Sequence, residues 1–101
     1  MSVMDLREEW RAHLACEFPR AARGATVHGV DLVLIDTYAT GCIQTFVNRG
    51  SLDAERTSAL QGCVEELERG VPLLVGDVAA YFTRLLRLGR EVLTRVGHRS
   101  R

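Results

Sequence analysis

Residues 31–48 read DLVLIDTYATGCIQTFVN, and the way this stretch folds decides the architecture of the protein. Its apolar start, which includes Val33, suits a β-strand, and its three threonines disfavour a helix. Strict alternation of apolar and polar residues nevertheless fails after Ile35. The apolar positions instead recur at intervals of three and four, at Leu32, Ile35, Ala39, Ile43 and Phe46.

Both ends of this stretch have helix boundary signals. Asp31 can accept hydrogen bonds from free backbone N–H groups as an N-cap, and Gly50 can end the helix. We therefore predict a long helix over 31–48. The alternative is an α+β fold with a short strand or hairpin within 27–47, in which Asp36 would cap the helix that follows.

The segment before this stretch divides into a helix and a connection. Apolar residues spaced by three and four predict a helix over 3–18, and Pro19 ends it. Residues 19–29 contain proline and glycine without a clear period, so we predict a connecting loop. The apolar stripe of the helix is Val3, Leu6, Trp10 and Leu14.

Two further helices are predicted after residue 50. The first covers 53–69 and has Arg56 on its inward side, and the second covers 77–96. Gly89 lies inside the apolar stripe of the second helix, which indicates close approach of a neighbouring backbone. The last residues, 97–101, are predicted to fray.

Four amphipathic helices with mostly short connections predict an all-α four-helix bundle, forming a single helical domain over 1–101. The chain has 101 residues, 47% of them hydrophobic, which suits one folded domain and argues against disorder. Its longest apolar run, 32–35, is too short to span a membrane. Asp5 and Glu8 also argue against a signal peptide. We expect a cytoplasmic protein with no membrane partner.

The charge pattern argues against a nucleic-acid-binding function. The chain has 13 basic residues, all of them arginine, and 13 acidic residues, so its net charge is zero. Residues 51–79 are acidic and residues 80–101 are basic, but no aromatic residue lies among the later arginines for base stacking. Nucleic-acid binding is therefore an unfavoured hypothesis. More plausible is packing of the acidic third helix beside the basic fourth one. The arginines that the nucleic-acid hypothesis would use are Arg84, Arg87, Arg90, Arg95, Arg99 and Arg101.

The cysteines offer no catalytic or metal motif. Cys16, Cys42 and Cys63 are widely separated, without a CxxC pair or a neighbouring histidine cluster. Cys42 falls within a predicted helix beside apolar residues, an environment that does not activate a thiol. We expect all three to be small buried apolar residues, and we predict no cofactor and no metal site.

One set of polar residues suggests a ligand-binding site. His13 and Glu17 are four residues apart on the first helix, and an imidazole beside a carboxylate can perform acid–base chemistry. Asp36 and Tyr38 could join them at one cavity, giving a small ligand-binding or enzymatic bundle. The structural alternatives are solvated pairing of Glu17 and an ion pair between Asp36 and Arg56.

The favoured hypothesis is a non-catalytic interaction protein. Residues 71–76 read VPLLVG, and exposed Leu73, Leu74 and Val75 would either cap the bundle or contact another chain. Trp10 would anchor a partner if the bundle leaves a groove there. Basic residues such as Arg84 and Arg87 could face an acidic surface of a second copy. We thus predict a small bacterial protein of accessory or immunity type, bound to a protein partner or forming a homodimer.

Overall fold

The computed structural model describes residues 5–99, and the side chains of residues 5–97. Their helices form the predicted all-α bundle, together with one tiny hairpin. The α-helices are α1 (Leu6–Leu14), α2 (Leu32–Arg49), α3 (Ala54–Gly70) and α4 (Gly76–Arg99). Between them lie two short 3-10 helices, Arg20–Ala22 and Val71–Leu73, and the strands β1 (Thr26–Val27) and β2 (Val30–Asp31).

The long helix predicted for residues 31–48 is confirmed as α2, and both boundary signals act as expected. Asp31 Oδ1 accepts hydrogen bonds from the backbone N–H groups of Val33 and Leu34, at 2.8 and 3.3 Å. Gly50 adopts a left-handed φ of +76° and donates its N–H to the Phe46 carbonyl at 2.7 Å. Helical period therefore outweighs β-propensity here, since the apolar stripe can be buried by its neighbours.

The segment predicted as a loop over 19–29 contains local structure. His28 and Gly29 both have positive φ, +51° and +75°, which is typical of a two-residue type I′ hairpin turn. This turn pairs Val27 with Val30 in antiparallel register. The short hairpin of the α+β alternative thus exists, directly before α2 rather than in place of it.

The hairpin rests on the end of α3 at a point where the chain has no side chain. A Cβ atom added at Gly70 would lie 2.8 Å from Cγ1 of Val27, closer than such atoms pack. Gly70 itself is buried. A glycine at this position therefore allows the hairpin to pack against α3.

The first helix is shorter than predicted. It ends at Leu14 instead of Phe18, and the N–H of Cys16 closes its last turn on the carbonyl of His13 at 3.0 Å. The chain then turns so that the Phe18 ring meets the edge of Tyr81, with centroids 5.3 Å apart. Residue Val3 of the predicted stripe lies outside the described residues.

The buried face of α1 also differs from prediction. His13 is 3% exposed, whereas Leu14, which was predicted to lie in the stripe, is 51% exposed. Positions 6, 10 and 13 of this helix face inward, so an imidazole takes the place predicted for a leucine.

The core lies between α2, α3 and α4, with α1 packed against α4. A Cβ atom at Gly89 would lie 3.0 Å from Val64 Cγ2 and 3.6 Å from Leu60 Cδ1, so the close neighbours are side chains of α3 rather than its backbone. Arg56, predicted to point inward, is exposed. The largest fully buried side chains are Trp10, Leu32, Ile43, Leu60, Phe82, Leu85, Leu88 and Val92.

The last helix is longer than predicted. It continues through residues 97–99, which were expected to belong to the frayed tail, and residues 100–101 lie outside the described part of the chain. Although α4 is 24 residues long, no helix in the described part has a stretch long and apolar enough to cross a bilayer.

Candidate functional site

An apolar groove runs between α2 and α3 on the outside of the bundle. Leu34 and Tyr38, one turn apart on α2, are 49% and 57% exposed. The opposite wall consists of the small residues Ala59, Gly62 and Cys63 on α3. Together they border a depression of about 420 Å³. We call this surface the α2–α3 groove.

The groove exists because α2 has more apolar residues than its buried face requires. Leu34 and Tyr38 lie off the buried stripe, while α3 offers them no large partner. A Cβ atom at Gly62 would meet nothing within 4 Å, so the space above this residue is open. Glu66 borders the groove and forms an ion pair with Arg69 one turn further along α3.

A second exposed apolar surface follows α3, in the loop that the sequence singled out. Leu73 is 62% exposed and Val75 is 82% exposed, whereas Leu74 is half-buried and packs against the core. Val75 borders a depression of about 700 Å³, which Glu17 and Arg84 also line. The two exposed residues thus form a smaller apolar surface than the sequence suggested.

Trp10 cannot serve as the surface anchor that the sequence suggested. Its side chain is 1% exposed, and its indole N–H donates a hydrogen bond to Oε1 of Gln44 at 2.9 Å. A large aromatic side chain that is both buried and hydrogen-bonded stabilises the fold. This correction removes Trp10 as the anchor of an interface.

The predicted contact between acidic α3 and basic α4 occurs within the chain. Arg90 on α4 donates to Glu68 on α3 at 2.8 Å. Arg87, which was proposed for an interface, donates to Glu9 of α1 at 2.6 Å. Two arginines of the basic helix are therefore paired with carboxylates of other helices within the chain.

Asp36 belongs to a polar contact between α2 and α4. The Tyr81 hydroxyl donates to Asp36 Oδ1 at 2.7 Å, and the Thr40 hydroxyl donates to the same oxygen at 3.5 Å. Burial raises the pKa of Asp36, and these two hydrogen bonds oppose that rise. The predicted ion pair with Arg56 is wrong, because Arg56 pairs with Asp53 at 2.5 Å.

His13 is enclosed by aromatic rings. Its ring centroid lies 5.6 Å from that of Trp10 and 4.6 Å from that of Tyr81. Neither ring nitrogen has a hydrogen-bond partner among the described residues. Burial lowers the pKa of His13 from 6.5 to about 4, with smaller contributions from the positive charges of Arg84 and Arg87. The imidazole is therefore neutral at pH 7.

The four predicted ligand residues do not converge on one cavity. Glu17 is exposed and lines the depression beside Val75, His13 lines another between α1 and α4, and Tyr38 lines the α2–α3 groove. Asp36, which is half-buried, contacts Tyr81 between α2 and α4. In the described part of the chain, no cluster of three or more His, Cys, Asp or Glu side chains is arranged to hold a metal ion.

The cysteines divide into two kinds. Cys42 and Cys63 are buried as predicted, and burial raises the pKa of both thiols, that of Cys63 to about 11. Cys16, which follows the end of α1, is exposed, contrary to prediction.

The groove residues Leu34, Ala59 and Gly62 were not singled out from the sequence. The available signal was a leucine and a tyrosine four residues apart on the polar side of one helix, and a glycine inside another. Comparison with protein-family models, with curated proteins and with solved structures finds no match.

Proposed function

We propose that this chain is a non-catalytic protein–protein interaction module that binds through the α2–α3 groove, and that its partner is a second copy of itself. The observation that supports this most directly is the exposure of Leu34 and Tyr38 beside the open space above Gly62. Exposed apolar side chains that border a groove are typical of interaction surfaces.

The shape of the groove favours a homodimer. A two-fold contact uses the same surface on both copies, so that surface must contain both projections and hollows. Leu34 and Tyr38 supply the projections, and Ala59 and Gly62 supply the hollow. The two helices have 18 and 17 residues, so the face is roughly 25 Å long at the helical rise per residue.

The enzymatic alternative has less support. Its four residues border separate depressions or lie within the bundle, and the one buried imidazole is stacked between aromatic rings. A general base must reach the proton that it removes in a plausible substrate position. The geometry thus favours structural roles for His13 and Asp36. An accessory or immunity-type role in a bacterial cell is the corresponding biological setting if the partner is another protein.

Native mass spectrometry and sedimentation over a concentration series test this proposal. We expect a dimer of the wild-type chain that becomes a monomer on Tyr38→Glu, because the new charge would be desolvated in the contact. Gly62→Leu should have the same effect by filling the hollow. Tyr38→Phe is the matched control and should remain dimeric.

Two results would contradict the proposal. One is a wild-type monomer at every concentration. The other is a dimer that survives Tyr38→Glu but dissociates when Leu73 and Val75 are both changed to serine, which would assign the contact to the loop before α4. Leu14→Gln, a change at an exposed apolar residue outside both surfaces, controls for a general loss of surface hydrophobicity.

A further inference from the structure

A small depression between α1 and α4, which Glu9 also lines, contains two side chains with buried polar atoms that lack hydrogen-bond partners among the described residues, His13 and Arg84. Its volume is about 250 Å³, and its lining includes His13, Cys16, Arg84 and Arg87. Drug-sized ligands usually occupy pockets above roughly 300 Å³, whereas a water molecule takes about 30 Å³ of liquid. The depression therefore suits a small ion with a few waters. It does not include the residues of the α2–α3 groove.

Arg84 is the arginine of this depression that has no ion pair among the described residues. Its Nε is enclosed and has no hydrogen-bond partner among the described residues, and it forms no ion pair there. Its guanidinium carbon lies 5.9 Å from the centroid of the Tyr81 ring, a contact that satisfies no N–H group. A planar guanidinium can donate two parallel hydrogen bonds to one oxyanion.

Two other residues that line the depression add an unpartnered imidazole and a second positive charge. His13 is 3% exposed, lines the depression and has no partner for either ring nitrogen. A buried polar group without a partner is uncommon and calls for an explanation. Arg87, one turn along α4, adds a second positive charge, although Glu9 binds it at 2.6 Å.

We propose that this depression binds a small oxyanion of the phosphate or sulfate class, with Arg84 as its principal ligand and Arg87 as a second, partly occupied one. Bound there, the anion accepts hydrogen bonds from the Arg84 guanidinium and offsets the positive charge beside His13. Glu9 competes with the anion for Arg87. The site therefore takes an anion more weakly than it would without that carboxylate.

Titration with inorganic phosphate, and separately with sulfate, tests the site at constant ionic strength maintained with sodium chloride. Chemical shifts of the His13 ring protons and isothermal calorimetry report binding to the full chain. We expect saturable binding that Arg84→Gln weakens about tenfold, the effect of losing a charge-assisted hydrogen bond. Glu9→Gln should tighten binding, because it frees Arg87. Arg95→Gln, which removes the same charge from the same helix, should leave binding unchanged.

Several outcomes would overturn the site. One is binding that Arg84→Gln leaves intact, and another is equal weakening by Arg84→Gln and Arg95→Gln, which would indicate general attraction of anions to the basic helix. Shifts that chloride alone reproduces would have the same meaning. If Arg84→Gln does not fold, Arg84→Lys retains the charge without the fork, and we expect weaker but measurable binding of phosphate.

Discussion

The hydroxyl of Tyr81 on α4 donates a hydrogen bond to Oδ1 of Asp36 on α2 over 2.7 Å, and the same tyrosine ring lies against the imidazole of His13 on α1. One side chain thus contacts two polar residues from two other helices. Tyr81 is 7% exposed and His13 is 3% exposed, whereas Asp36 is half-buried, so the hydrogen bond is only partly shielded from water. Tyr81 thus links α4 to both α1 and α2.

Removing the Tyr81 hydroxyl tests the energetic value of that contact. We expect Tyr81→Phe to lower the free energy of unfolding by about 1.5–3 kcal/mol, the range for a hydrogen bond to a charged group. Urea unfolding followed by circular dichroism measures this loss. Tyr38→Phe removes a hydroxyl from an exposed tyrosine and should change little. Equal stability of the two variants would show that the Asp36 hydrogen bond contributes nothing.

His13 makes stability depend on pH. The pKa of the folded imidazole is about 4, below its unfolded value of 6.5, so the unfolded chain binds the proton more tightly. Above pH 6.5, protonation of His13 does not reduce the free energy of unfolding. As the pH falls from 6.5 towards 4, this free energy decreases by about 3 kcal/mol at most. Burial raises the pKa of Asp36, which gives the opposite slope at the acidic end of this range.

Unfolding free energies measured between pH 7 and pH 4.5 check this dependence. His13→Leu should flatten the slope, and it should stabilise the protein at pH 7 by about 1–3 kcal/mol, since it removes two buried polar atoms without partners. His28→Asn, a change at an exposed histidine in a turn that asparagine tolerates, is the control variant. An unaltered slope in His13→Leu would assign the dependence to other groups.

We expect alanine substitution at two helix glycines to have different effects on stability. At Gly62 the new methyl group meets nothing within 4 Å, so Gly62→Ala should stabilise α3 by about 0.5–1 kcal/mol through helix propensity. At Gly89 it meets Cγ2 of Val64 at 3.0 Å, and this branched side chain has little freedom to move. We expect Gly89→Ala to be less stable than Gly62→Ala by more than about 1 kcal/mol. Thermal melts at a concentration at which both variants are monomers rank them, because Gly62 also borders the proposed dimer contact, and the reverse order would refute the packing argument.

The contact between Gly70 and Val27 can be tested with a double-mutant cycle. Gly70→Ala places a methyl group 2.8 Å from Val27 Cγ1, so we expect a loss of about 1–3 kcal/mol from overpacking. Val27→Ala removes the obstructing methyl groups and should restore much of that loss in the double variant. Strictly additive losses in chemical denaturation would show that the hairpin does not rest on Gly70.

Local signals in the sequence were sufficient for the three long helices. The apolar period and the N-caps Asp31 and Asp53 act over a few residues of chain, so the start of each long helix could be inferred to within a residue, whereas the end of α4 at Arg99 was missed. The turn at His28 and Gly29 was equally local but was missed, because only two residues on each strand pair.

The candidate surfaces depended on contacts distant in sequence. Leu14 and His13 are adjacent, and periodicity favoured burial of the leucine, yet the aromatic rings of Trp10 and Tyr81 enclose the imidazole. Arg56 was placed inside on helical phase, yet its charge stays in water and pairs with the N-cap Asp53. Such choices depend on which side chains a neighbouring helix presents.

By itself the sequence determined that the chain forms an all-α bundle and where its three long helices begin, because hydrogen bonds and caps within a helix are local in sequence. The tertiary structure alone decided which residues lack a partner. Leu34 and Tyr38 remain exposed because the facing residues of α3, Ala59 and Gly62, are small. Arg84 has no ion pair because no carboxylate among the described residues lies within reach of it. Burial and pairing are properties of the packed helices, and periodicity within one helix does not specify them.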